Sequence, residues 1–123
     1  MKATREIVRI EREQVRLFNR GQVAPIVKQF GPGFVGFSST RHNRIGGLAA
    51  LRRTFFYYLH KSPKLRYRIT QVRVQQFGEV AVATFYWTVR LAPGHAIDGR
   101  GTHVFARRGK TWRIVHEHFS RAH

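Results

Sequence analysis

The stretch from Gly99 to Ser120 constrains this chain more than any other. Gly-Arg-Gly-Thr-His-Val-Phe-Ala-Arg-Arg-Gly-Lys-Thr-Trp-Arg-Ile-Val-His-Glu-His-Phe-Ser reads as a long strand, a glycine turn and a closing strand. Alternate side chains of a strand point to opposite faces. A hairpin of this length therefore presents a broad face that the rest of the chain must cover. Two further strands precede it: Leu65 to Phe77, turning at Gly78-Glu79, and the apolar run Val80 to Leu91 with Trp87, a hairpin pattern in its own right. In the first of these, Tyr67 and Ile69 are expected on one face and Arg66, Arg68, Val72 and Val74 on the other. Ala92-Pro93-Gly94-His95 is expected as a connecting loop.

The cover comes from the N-terminal half. Residues 4–20 read as a helix with Thr4 as N-cap and Gly21 as its stop. Ile7, Ile10, Leu17 and Phe18 lie on one side, flanked by Val8 and Val15. Gly21 to Phe30 reads as a short second helix ended by Gly31-Pro32-Gly33. Phe34 to Ser38 reads as a short strand, Thr40 to Arg44 as a turn, and Leu48 to His60 as a third helix closed by Ser62-Pro63. Helices followed by a run of antiparallel strands predict an α+β domain with the helices on one face of the sheet. At 123 residues the chain fits one such domain, 1–123, able to bury a core without staples. It has no cysteine, which excludes disulfides and thiolate metal sites.

Charge is the outlying quantity. Lys and Arg number 23 against 6 Asp and Glu, a net +17, and such a field attracts polyanions. On the first helix Lys2, Arg5, Arg9, Arg12, Arg16 and Arg20 recur every three or four residues. That stripe is either a solvated face or a surface able to follow a phosphate backbone. The N-terminus carries charges where a signal peptide has its apolar run, and no stretch approaches the ~18 apolar residues of a membrane span. A cytoplasmic protein with no membrane partner is the expectation.

The order Thr102-x-Val-aromatic, Arg107-Arg108, a glycine turn, Trp112, then Val115-His-Glu-His-Phe-Ser120 resembles the last hairpin of nuclear-transport-factor-2-like domains. The SnoaL-like branch and the association domain of calcium/calmodulin-dependent protein kinase are the members it is most similar to. Asn19-Arg20-Gly21, Phe34-Val35-Gly36-Phe37, Gly46-Gly47-Leu48 and Gly78-Glu79-Val80-Ala81-Val82-Ala83-Thr84 extend the resemblance over nearly the whole chain. It implies a cone-shaped, curved antiparallel sheet wrapped by three N-terminal helices, also called cystatin-like, with a small-molecule pocket at its mouth. It also implies a homodimer formed through the outer sheet face. Two departures stand out: Arg20-Gly21-Gln22 where members often carry acidic residues, and His103 where kinase association domains carry arginine. A pocket built around an arginine-bound carboxylate is not implied.

Related isomerases and cyclases use an aspartate inside the cone as general base. Here Asp98 is the only aspartate and sits in a loop, and Glu79 sits in a turn. Glu117 alternates away from His116 and His118, which disfavours paired-carboxylate hydrolysis. The histidines remain. His116 and His118 are expected on the same side as Trp112, Ile114 and Ser120, with His103 on the neighbouring strand. Near-neutral imidazoles move protons when a substrate reaches them, and the alternative is an imidazole hydrogen-bonded within a half-buried sheet. His103 and His118 are accordingly the candidate catalytic residues. Tyr57, Trp87, Arg68, Trp112 and His116 are the candidate ligand-binding residues, with Arg68 as a cation for an anionic ligand. Arg5, Arg9, Arg12, Arg16 and Arg20 are the candidate polyanion-binding residues. No metal and no cofactor is expected. The reading is a small-molecule-binding domain whose chemistry, if it has any, is proton transfer of isomerase or cyclase type. The alternative is a nucleic-acid or polyanion-binding module on the first helix.

Overall fold

A computed structural model describes residues 2–122. The first helix, α1 (Lys2–Asn19), buries Ile7, Glu11, Gln14, Leu17 and Phe18, spaced so that they share one face. Lys2, Arg5, Arg9, Arg12 and Arg16, with Arg20 just beyond, are all exposed. Because α1 begins at Lys2, Thr4 lies inside the first turn and does not cap it. The stop is where expected. Gly21, at φ +69°, donates its N–H to the Phe18 carbonyl at 3.0 Å while the Gln22 N–H reaches back to Leu17 at 3.0 Å, satisfying the last carbonyls.

The second helix, α2 (Val23–Val27), is shorter than the sequence pattern suggests. The Gln29 carbonyl accepts the Ile114 N–H at 2.9 Å, and that bond draws Phe30 into the sheet. Strand β1 (Phe30–Phe37) follows, then the two-residue β2 (Ile45–Gly46) and helix α3 (Gly47–Lys61), which buries Leu51 and Phe55. The remaining strands are β3 (Arg66–Phe77), β4 (Val80–Ala92), β5 (His95–Arg108) and β6 (Thr111–Arg121). Their order in the sheet is β2-β1-β6-β5-β4-β3. The pairs β3 to β6 are antiparallel, whereas β1 lies parallel to β6. Ala92 pairs with His95, so the expected loop is a tight turn and β5 starts before Gly99.

Irregularities bend this open sheet around the helices, as extra residues in one strand do. In β3, Thr70 pairs with Tyr86 and Arg73 with Thr84, so Gln71 and Val72 share one partner position, and Gln71 takes φ 55°. The bulge reverses the facing of everything after it. Val72 and Val74 are half-buried, whereas Arg66 and Arg68 are exposed, correcting the single face predicted for all four. In β6, Val104 pairs with His116 but Phe105 with Ile114, leaving Val115 as the extra residue. Its consequence belongs to the site.

The core lies between the concave face and the helices, around Ile7, Ile26, Phe30, Phe34, Leu51, Phe105 and Ile114. Asn19 ties α1 to β3: its side-chain NH2 donates to the Tyr67 carbonyl at 2.9 Å and its Oδ1 accepts the Tyr67 N–H at 2.8 Å. At Gly99 a Cβ would stand 2.1 Å from the Ser120 carbonyl oxygen and 2.2 Å from the Trp87 ring. Only glycine there lets the indole lie across β5. No helix among the described residues is long and apolar enough to cross a membrane.

Candidate functional site

Three titratable side chains meet in the interior. His103 on β5 stands directly across from Glu117 on β6, and Glu11 reaches it from α1. The His103 Nδ1–H donates to both Glu11 oxygens, at 2.9 and 2.7 Å, and the Nε2–H donates to Glu117 Oε1 at 2.9 Å. His103 is 0% exposed, Glu11 2% and Glu117 7%. Phe30, Phe85, Phe105 and Phe119 surround the imidazole, with ring centroids 5.3–6.1 Å away.

Burial alone would push the His103 pKa down. The Glu11 charge and hydrogen bond, with the hydrogen bond and charge of Glu117, outweigh it and raise the value to about 10. At neutral pH both ring nitrogens carry protons, which is what donation to two carboxylates requires. The cluster as a whole carries one net negative charge. Buried carboxylates are tolerated only when paired in this way. The two carboxylates bind opposite edges of the ring and do not converge on a common point, so they form no cradle for a metal.

Beside this cluster lies a cavity of about 390 Å3. Phe18, Phe55, Trp87, Val89, Ile97 and Phe119 form its apolar wall, and Glu117, Gln14 and Tyr67 give it polar groups at the buried end. Tyr57, Lys61, Thr40 and Arg121 line the exposed end. Glu117 belongs to both features: Oε1 is held by His103, and Oε2 has no protein hydrogen-bond partner among the described residues. The Tyr67 hydroxyl is likewise without a partner among them. Burial first, then the Glu11 and Glu117 charges, raise its pKa well above the ordinary tyrosine value. Tyr67 is a neutral hydrogen-bond donor.

The predicted residues divide sharply. Tyr57 and Trp87 line the cavity. His103 sits behind Glu117 and does not line it. His118 is exposed on the convex face against Phe37, ring centroids 5.4 Å apart. His116 also faces out, half-buried, with Nδ1 bonded to the Val35 carbonyl at 2.8 Å. The physical reason is Val115: Trp112 and Ile114 face inward as expected, but the bulge reverses the alternation, so Glu117 and Phe119 face inward instead. Trp112 is buried outside the cavity, with the Arg107 guanidinium 5.4 Å from its ring centroid. Arg68 is exposed on β3 and does not line the cavity. Asp98 and Glu79 are exposed.

Sequence reasoning missed Glu11 and Glu117. For Glu11 a signal exists, because it falls in register with Ile7, Gln14 and Phe18 on the apolar side of α1. A carboxylate there demands a buried partner.

The sequence and fold have known counterparts. A family model described as a SnoaL-like domain matches residues 10–123. An NTF2-like protein of unknown function from Pseudomonas putida superposes with a TM-score of 0.90 at 18% identity, covering 97% of this chain and 86% of that one. A proposed calcium/calmodulin-dependent protein kinase II association domain from Xanthomonas campestris gives 0.82 at 19%, covering 95% and 86%. A proposed dehydratase of the NTF2-like family from Streptomyces avermitilis gives 0.83 at 13%, covering 97% and 95%. No curated protein matches the sequence.

Proposed function

The chain belongs to the SnoaL-like domain family, with the nuclear-transport-factor-2-like fold, and on that premise we propose that it binds a small, largely apolar molecule and moves a proton on it with Glu117. The observation that carries this reading is a buried carboxylate with one oxygen fixed by His103 and the other unpartnered at an apolar cavity. His103 holds Glu117 in place, and Glu11 balances the imidazolium charge.

In the proposed step, Glu117 Oε2 takes a proton from carbon next to a carbonyl. The electron pair moves onto the carbonyl oxygen, which accepts the Tyr67 O–H. Returning the proton to another carbon gives isomerisation, and delivering it to a departing hydroxyl gives dehydration. The name of the Streptomyces avermitilis protein is consistent with the second. Catalysis thus passes to Glu117 and Tyr67, and His103 and Glu11 become positioning residues.

The test is deuterium incorporation by NMR into cyclic ketones and enones incubated with the protein in heavy water. Wild type should accelerate exchange. Glu117→Gln should lower the rate by about 100- to 10,000-fold while ligand-induced chemical shifts persist. Equal rates in both proteins would remove Glu117 from the mechanism.

A second reading has its own observation: all the cations of the α1 stripe are exposed along one helix face. We propose it as a polyanion surface, tested by anisotropy of labelled DNA and RNA across salt. Loss of binding in Arg9→Glu/Arg16→Glu, with a flattened salt slope, supports it. Binding gone by ~150 mM salt in wild type sinks it. Pairing of two copies through the outer sheet face, where Tyr86 is 52% exposed, is part of the same proposal and is read by sedimentation.

A further inference from the structure

The protein has only 6 side-chain carboxylates, and every one has a partner. Glu6 lies 3.9 Å from Arg9, Glu13 pairs with Arg16, and Glu79 pairs with Arg107 at 2.7 Å. Asp98 accepts the Thr88 hydroxyl at 2.7 Å, and Glu11 and Glu117 hold His103. None of them stands at the exposed end of the cavity. That end carries Lys61 and Arg121, with Arg41 beside it. The Lys61 ammonium donates to the Tyr57 hydroxyl at 3.2 Å, and the Arg41 guanidinium sits 4.6 Å from the Tyr57 ring centroid.

We propose that the mouth of the cavity is an anion subsite, and that the ligand is an amphipathic carboxylic acid. Its carboxylate rests between Lys61 and Arg121 and its apolar body points at Glu117. The inference deepens the small-molecule reading and rests on it. Three features converge.

First, Lys61 and Arg121 are exposed cations lining the same cavity, and neither has a side-chain counter-ion among the described residues. A bound carboxylate would supply one. Second, Tyr57 already records the field. The Lys61 hydrogen bond and charge, opposed slightly by burial and joined by the Arg41 hydrogen bond and charge, hold its hydroxyl below the ordinary tyrosine range. Third, the two ends of the cavity have opposite sign. The buried cluster carries net negative charge, so an acid entering carboxylate-first would meet Glu117, whereas entering apolar end first it meets aromatic walls and leaves its charge at the mouth. The field therefore fixes the direction of binding as well as the class. Such polar groups at the rim of an apolar cleft are how a pocket selects orientation.

The experiment is calorimetric titration of the full chain with naphthoate and with its uncharged isostere naphthamide, at about 150 mM salt so that distant surface charge is screened. Wild type should bind naphthoate at least about tenfold tighter than naphthamide. Lys61→Met/Arg121→Met should abolish that preference and leave naphthamide affinity unchanged. Both residues are exposed, and thermal unfolding verifies that the variant is folded. Equal affinity of wild type for the two probes overturns the subsite and leaves the cavity reading standing. Binding of neither probe overturns both. A naphthoate preference that survives in Lys61→Met/Arg121→Met but vanishes in Arg5→Gln/Arg9→Gln/Arg12→Gln assigns the anion to α1, and also overturns it.

Discussion

The two faces of β6 carry the same kinds of residue and treat them in opposite ways. On the concave face Glu117 is closed in against His103, and the pair is completed by a second carboxylate from α1. On the convex face His118 is exposed and His116 needs no more than the Val35 carbonyl. A histidine open to water keeps its solvation and contributes little to stability. One enclosed by aromatic rings survives only as part of an ionic set, and each member becomes indispensable to the others. What separates the two is the alternation of the strand, with the bulge at Val115 placing Glu117 on the same face as Ile114.

Breaking the inner set should have the largest effect. Glu11→Gln removes one carboxylate from a buried imidazolium and is expected to cost about 3–5 kcal/mol in urea unfolding. A loss under ~1 kcal/mol would mean that His103 is neutral.

The pH dependence sharpens the same contrast. His103 has a folded pKa raised above its unfolded value of 6.5 to about 10. Its stabilisation is full below 6.5, falls by about 1 kcal/mol per pH unit between the two values, and is gone above the higher one. The difference between wild type and His103→Gln, followed by urea unfolding from neutral to alkaline pH, should show that decline. A flat difference would contradict the ionic assignment.

Deleting Val115 tests the bulge. Ile114 and Glu117 then become second neighbours, so Glu117 still faces inward opposite His103 and only the local bend is lost. We expect a folded protein destabilised by about 0.5–3 kcal/mol, with the His103 imidazole still resisting deprotonation by NMR. The smallest effect is expected outside. His118→Ala should change stability by no more than about 0.5 kcal/mol and leave ligand binding untouched.

The hairpins and the α1 stop at Gly21 were legible because each has a local signature: turn glycines and alternation. The inward-facing residues of β6 were not. A bulge adds a residue without demanding any particular side chain, so the phase read at Trp112 and Ile114 cannot be carried past Val115. The same happens at Gln71 in β3. Glu11 lay between these cases: its position on the apolar side of α1 was visible, but its partner, contributed by another element, was not.

The cluster joins residues 92 positions apart in the chain, and β1 is joined to the long strands of the sheet through β6. Contacts between distant segments form late, after their loop-closure entropy has been met. Until β6 has docked, His103 lacks one of its two carboxylate partners and β1 has no strand to join it to the rest of the sheet. The folding of this protein should accordingly be governed by its final hairpin. Variants that weaken the β5–β6 pairing should slow folding more than those that weaken α3, a difference that stopped-flow refolding measures directly.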